Sequence, residues 1–269
     1  MRALTHFNQN FGLVENLLQM FVLASGLVRN DDRTGSSEDA GTNDQTWAPF
    51  AANQQIALRV QSSTQVPPWL LEKGGLDFLL RQAVIAACTA LESYFWDILA
   101  ENALSIVRVR GSRTEPELRN LVLTLGEMVE LEQLPSADER LERIVLKNFE
   151  RGILSDATVI DKVARLFGVR DIWDDIARIA DMDASIMRRM IGELVARRNQ
   201  IAHRADRQEP SAPGQSGRLR PITYAWTISR VQSSRTVVTA ASEVFQSITL
   251  DLANALHKRA RRSSASTSP

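Results

Sequence analysis

One cysteine, three histidines and no net charge are what this 269-residue chain has least of. A single thiol, Cys88, excludes an intrachain disulfide and a cysteine-rich zinc site. It sits among Val84, Ile85, Ala87 and Leu91 and reads as a core thiol. His6 and His257 lie at opposite ends of the chain and have no ligand spacing, so neither a metal nor a cofactor is expected. Lysine plus arginine and aspartate plus glutamate each number 32, so no global field draws nucleic acid. No apolar run approaches the roughly 20 residues of a membrane span. Residues 13–28 are apolar-rich, but Glu15, Asn16 and Gln19 interrupt them, without a basic leader or a small-residue cleavage site. The expectation is a cytosolic chain. P-loop, dinucleotide-binding and G-x-S-x-G patterns are missing. So are a sustained period-two alternation and any internal repeat, which makes the expected fold class all-α.

What is present is helical punctuation on an ordinary globular composition, 44% apolar and 24% charged. Residues 4–28 read as a helix with Phe11, Leu17, Leu18, Phe21, Val22 and Ala24 on one side. Arg29–Thr46, rich in Asp, Ser, Gly and Thr, reads as a flexible loop. A weaker helix covers Trp47–Val60, and Pro67-Pro68 opens a short turn, PPWLLEKGG. Leu76–Arg108 is the longest helical pattern, broadly apolar and free of Gly and Pro. Thr114-Glu115-Pro116-Glu117 and Ser136-Ala137-Asp138-Glu139 carry capping-box spacing, and Ser155-Asp156 supplies another cap. These predict helices near 117–133, 138–150 and 156–167, stopped by Gly152 and Gly168. Gln208–Pro221 reads as a loop. Ser229 and Gln232 have capping-box spacing for a last helix with Val237, Ala241, Val244, Phe245, Ile248, Leu252 and Leu256 on its stripe. KRARRSSASTSP reads as a frayed basic tail.

The informative stretch is Ile186–Arg207, a helix opened by Asp183 or Ser185. Ile186, Met190, Ile191, Leu194 and Ile201 fall within an arc of roughly 140° at helical periodicity. Arg198 falls inside that arc. A guanidinium there must find acceptors, because it cannot lose its proton. Six arginines stand between Arg188 and Arg207 against Glu193 and Asp206, a local patch suited to phosphate. A solvated arginine-rich helix explains that composition equally well. Cations at a helix C-terminus also favour the macrodipole, and Arg197, Arg198, His203 and Arg204 all qualify. Asp171, Asp174, Asp175, Asp181 and Asp183 form an acidic cluster. Carboxylates can hold Mg²⁺, but caps and solvated surface account for these.

Arg198-Asn199-Gln200-Ile201-Ala202-His203, an R-N-x-x-x-H arrangement within RRNQIAHRAD, resembles the HEPN superfamily, and RiboL-PSP-type HEPN proteins in particular. ALESYFWDIL resembles that superfamily's early core helix. The resemblance implies a HEPN-like helical bundle over 67–262, with additional N-terminal helices in an extension, 1–66, that holds the flexible loop 29–46. Residues 263–269 are expected to be a disordered tail. It further implies metal-independent RNA cleavage at a composite site of a homodimer, with Arg198, Asn199 and His203 catalytic. Glu92 is the candidate partner of Arg198, with solvent exposure its alternative. Arg204 is a supporting residue, and Arg197 and Arg207 are expected RNA contacts. Such proteins serve as toxins or antiviral effectors, with an antitoxin or regulatory protein as possible partner, whereas silent members only bind a protein or RNA. Gly111-Ser112 lacks the aspartate pair of a nucleotidyltransferase, so no such domain is fused here. Arg198 and His203, five residues apart, point roughly 140° apart on one helix. A two-fold dimer would bring together what one copy separates.

Overall fold

A computed structural model describes residues 2–31, 74–111, 123–150, 156–208 and 217–266. The expectations for Trp47–Val60, Pro67-Pro68, Thr114–Glu117 and Gly152 lie outside them. Among the described residues there are eight helices and no strand, only one isolated antiparallel bridge between Arg207 and Leu219. The fold is all-α, as its patterning requires.

The first helix, α1 (Arg2–Asp31), is longer than expected and runs through Arg29, Asn30 and Asp31, whose composition reads as loop. It lies antiparallel to α2 (Asp77–Arg110). The register is set by polar contacts along the seam. Ala3 N donates to Glu101 Oε1 at 3.1 Å, His6 Nδ1 meets Asp97 Oδ2 at 2.9 Å, and Asn10 Nδ2 donates to Ser93 Oγ at 3.4 Å. Between them Ala3, Phe7, Phe11, Val14 and Leu18 enter the same core as α2, with Phe7 edge-on to Tyr94.

Helix α2 is the axis of the bundle. It touches α1 on one side and later helices on the others, so its apolar residues go nearly all the way round. This corrects one expectation. An 18-residue window of this helix has mean hydropathy 1.4, enough by length and composition to cross a membrane. Here that surface is used as core, with Leu80, Leu91, Tyr94, Phe95, Ile98 and Leu99 fully buried. Ala83, Ala87 and Ala90, also buried, let neighbours approach closely.

The middle of the chain is a series of short, individually capped helices: α3 (Leu125–Glu132), α4 (Ala137–Glu150), α5 (Ala157–Leu166) and α6 (Ile172–Ala180). A continuous helix over 117–133 does not form, because Thr124 is extended and opens α3 itself. Its hydroxyl accepts from Glu127 N at 3.3 Å, while Glu127 Oε2 accepts from Thr124 N at 2.7 Å. Ser136 and Asp156 cap α4 and α5 as expected. Gly168 ends the α5 turn at φ +85°, with the Arg110 guanidinium occupying the space where a side chain would stand.

Helices α7 (Ala184–Arg204) and α8 (Tyr224–Ser266) complete the bundle. At 43 residues α8 is about 64 Å long and touches α1, α2, α6 and α7. It starts at Thr223, whose Oγ1 accepts from Trp226 N at 3.2 Å, and not at the expected Ser229. At its other end the expected frayed tail is helical through Ser266. Arg259 ties it to the end of α2 by donating to the carbonyls of Arg108 and Val109. Phe245 of α8 packs on Phe95 and Phe167 at the centre.

Candidate active site

Helix α7 is opened by Asp183, whose Oδ1 accepts from Ile186 N at 3.0 Å and from Ser185 Oγ at 2.5 Å. The Ser185 hydroxyl and then the Ile186 amide hold the Asp183 carboxyl below its ordinary value. The residues α7 buries are Met187, Ile191, Leu194 and Val195. That stripe is rotated from the expected one, and Ile186 is 41% exposed. The cause is packing from several sides: α2, α5, α6 and α8 all touch α7, and Ile186 in the first turn lies outside the arc they cover.

One turn beyond Leu194, the same face carries Arg198. Its Nη2 meets the Glu92 carboxylate of α2, with the two side chains 16% and 31% exposed. Cys88, one turn before Glu92, lies close enough to feel the Arg198 charge. Burial nonetheless pushes its thiol up to about 12, so the sulfur stays protonated and unreactive. Asn199 is half-buried, and its Oδ1 is buried without a hydrogen-bond partner among the described residues. His203 is exposed, as is Arg204 in the last turn. The described residues supply no hydrogen bond to the His203 ring. The protein thus joins Arg198 to Glu92 but leaves Arg198 and His203 on separate faces of one helix.

Arg197 is committed elsewhere. Its Nη2 donates to Asp206 Oδ2 at 2.8 Å, to Arg220 O at 3.2 Å and to Pro221 O at 3.0 Å. Its guanidinium also sits 5.9 Å from the Trp226 ring centroid, which Arg230 approaches at 5.6 Å. Arg230 in turn forks onto Glu193 Oε2 at 2.9 and 2.5 Å. The exposed Arg207 donates to Gly217 O at 2.9 Å and bridges to Leu219. Both arginines expected to meet RNA therefore have intramolecular partners.

The residue that sequence reading passed over is Asp206. It is fully buried and accepts on Oδ2 from both Arg197 and Arg81, the latter through Nε at 2.7 Å. Arg81 Nη2 reaches on to Arg220 O at 2.8 Å. An acid just past a helix C-terminus opposes the macrodipole, and that misfit was the available signal. Arg81, by contrast, offers no local cue inside an apolar helix except that it is charged.

The acidic stretch resolves into local roles. Asp171 precedes α6 and its carbonyl accepts the Asp174 and Asp175 amides. Asp175 pairs with Arg178 at 3.1 Å, Asp181 takes the left-handed turn after α6, and Asp183 caps α7. Among the described residues, no three or more His, Cys, Asp or Glu are grouped so as to hold a metal ion.

A family model described as RiboL-PSP-HEPN matches residues 60–216, more than half of the chain. The match takes in α2, the capped middle helices and the whole of α7. No curated protein matches the chain, and no solved structure does.

Proposed function

This chain belongs to the RiboL-PSP-HEPN family, and from that premise we propose that it is a metal-independent endoribonuclease of the cytoplasm, working as a homodimer on RNA. The observation that carries the reading is the R-N-x-x-x-H arrangement on α7 within the matched span. There Arg198 is fixed by Glu92 and His203 stands exposed at the helix end.

Cleavage by the 2′-hydroxyl needs a base for its proton, an acid for the departing 5′-oxygen, and cations for the charge on the phosphorane. Imidazole is the side chain suited to exchange protons near neutrality. One protomer's His203 takes the 2′-OH proton, and the partner's His203 returns a proton to the 5′-oxygen. The new bond is 2′-O to phosphorus, the broken one phosphorus to 5′-O, and the product ends in a 2′,3′-cyclic phosphate. Arg198 faces the phosphoryl oxygens with the nitrogens that Glu92 leaves available, as a planar fork. Asn199 orients the ribose or the imidazole, and Arg204 supports the phosphate. Arg197 and Arg207 contribute by building the end of α7 and adding positive charge to it.

A role as toxin or antiviral effector held by an antitoxin or regulatory protein agrees with this chemistry. The second reading is a silent module that binds RNA or a protein. It is favoured by the engagement of Arg197 and Arg198 with carboxylates of their own chain. Incubating RNA with the purified protein in excess EDTA separates the two. We expect cleavage with cyclic or 3′-phosphate ends. Loss of cleavage with chelator, restored by Mg²⁺, would move the chemistry away from Arg198 and His203. Light scattering should show a dimer at micromolar concentration, and a fully active monomer would contradict the composite site.

A further inference from the structure

We infer that Asp206 is a positioning residue for His203, a buried carboxylate that fixes how the motif helix ends. Its catalytic consequence rests on the RNA-cleaving reading above, whereas its structural consequence does not. The turn after α7 is unusual backbone. Ala205 and Asp206 stand in succession in the left-handed region, at φ 46° and 58°, where side-chain-bearing residues rarely go. Such a turn persists only where its surroundings hold it.

Asp206 is where it is held. Its amide donates to Gln200 O at 3.0 Å, closing the end of α7. Its carbonyl accepts from Arg220 N at 2.8 Å, pinning the returning strand of chain. Its Oδ2 receives Arg197 from α7 itself and Arg81 from α2. One fully buried residue, three positions after His203, thereby joins α7, α2 and the approach to α8. With Arg198, the next residue after Arg197, reaching Glu92 about three turns along α2 from Arg81, α7 is clamped to α2 at two points. His203 leaves the helix between that clamp and the turn, on the exposed side.

The charge balance adds to the argument. Arg81 and Arg197 share the Asp206 carboxylate, and Asp77, one turn before Arg81 on α2, is the other acid that feels the Arg81 charge. Replacing Asp206 by asparagine keeps the shape and a carbonyl acceptor but takes from two part-buried guanidiniums the carboxylate they share, which drives them apart or toward solvent. The left-handed turn then keeps its backbone bonds but loses its ionic anchor, and the last turn of α7, which carries His203, frays more readily.

The test uses the full-length protein and the ring resonances of its three histidines, His6, His203 and His257. The His203 signal is identified by its disappearance in His203→Gln. In Asp206→Asn the His203 resonance should shift and broaden while His6 and His257 stay in place. Turnover of RNA should fall roughly 10- to 100-fold with KM held within about twofold, as expected when a reacting group is misplaced without loss of substrate contacts. Arg81→Lys, which keeps the charge but not the forked contact, should give the same changes in smaller measure. It also decides the matter if Asp206→Asn does not fold. Folded variants with an unmoved His203 resonance, or with a moved resonance and unchanged turnover, would overturn the positioning role. If the wild type cleaves no RNA, the nuclease reading fails, and the ring resonance alone decides whether Asp206 positions His203.

Discussion

The two halves of the R-N-x-x-x-H arrangement are held in opposite ways. The arginine half is tied down: Arg198 to Glu92, and its neighbour Arg197 to buried Asp206, each reaching a carboxylate beside a different part of the core. The histidine half is solvent-facing. Neighbouring arginines on a helix point roughly 100° apart, so a double arginine serves two separate anchors. The difference teaches that a short motif can mix fold-building and chemistry, and that charge alone does not sort them. An exposed group can change with little structural effect, whereas a buried charge cannot lose its partner without leaving an orphan.

That contrast can be sharpened by substitution. The largest loss of stability should come from Asp206→Ala, which strands two part-buried guanidiniums. About 3–5 kcal/mol is expected on denaturant unfolding, and a change below about 1 kcal/mol would show the knot to be surface-like. Arg198→Ala comes next. Its partner Glu92 is partly solvated, so roughly 1.5–3 kcal/mol is expected, the range for a hydrogen bond to a charged group. Arg198→Lys should recover part of that stability but not full turnover, because an ammonium lacks the planar fork. Full recovery of both would remove the argument for the guanidinium.

The smallest effect concerns Asp183 and pH. Its folded carboxyl is held below the ordinary value of 3.8. A depressed carboxyl contributes stability that is fully present above the unfolded value and lost as pH falls through the folded one. Protection of the first amides of α7 against hydrogen exchange should therefore weaken below about pH 4, through loss of the Asp183 cap. Asp183→Asn should flatten that dependence, and an unchanged dependence would assign it to another group.

Much of this was readable in the chain. The helical class, the extent of α2 and the caps at Ser136, Asp156 and Asp183 follow from periodicity and short-range hydrogen bonding, which are local. The failures have non-local causes. Ile186 reads as core because it is apolar at the right spacing, yet only the placement of α2, α5, α6 and α8 decides which arc of α7 is covered. Ser229 has the better capping spacing, but Thr223 starts α8 after Pro221, where the chain emerges from its pairing with Asp206 and Arg207. The basic terminus reads as a tail because its neighbours, the last carbonyls of α2, are some 150 residues away in sequence. Asp206 was missed for the same reason. Its meaning lies in Arg81, 125 residues earlier.

The most direct test of the contrast is His203→Ala, measured for melting temperature and for RNA cleavage in EDTA beside the wild type. A solvent-facing general acid or base should fall in rate by roughly 10²–10⁴ on removal, with the melting temperature nearly unchanged. A wild type that cleaves RNA, with His203→Ala equally fast and equally stable, would leave the histidine half of the motif without chemistry and contradict the account.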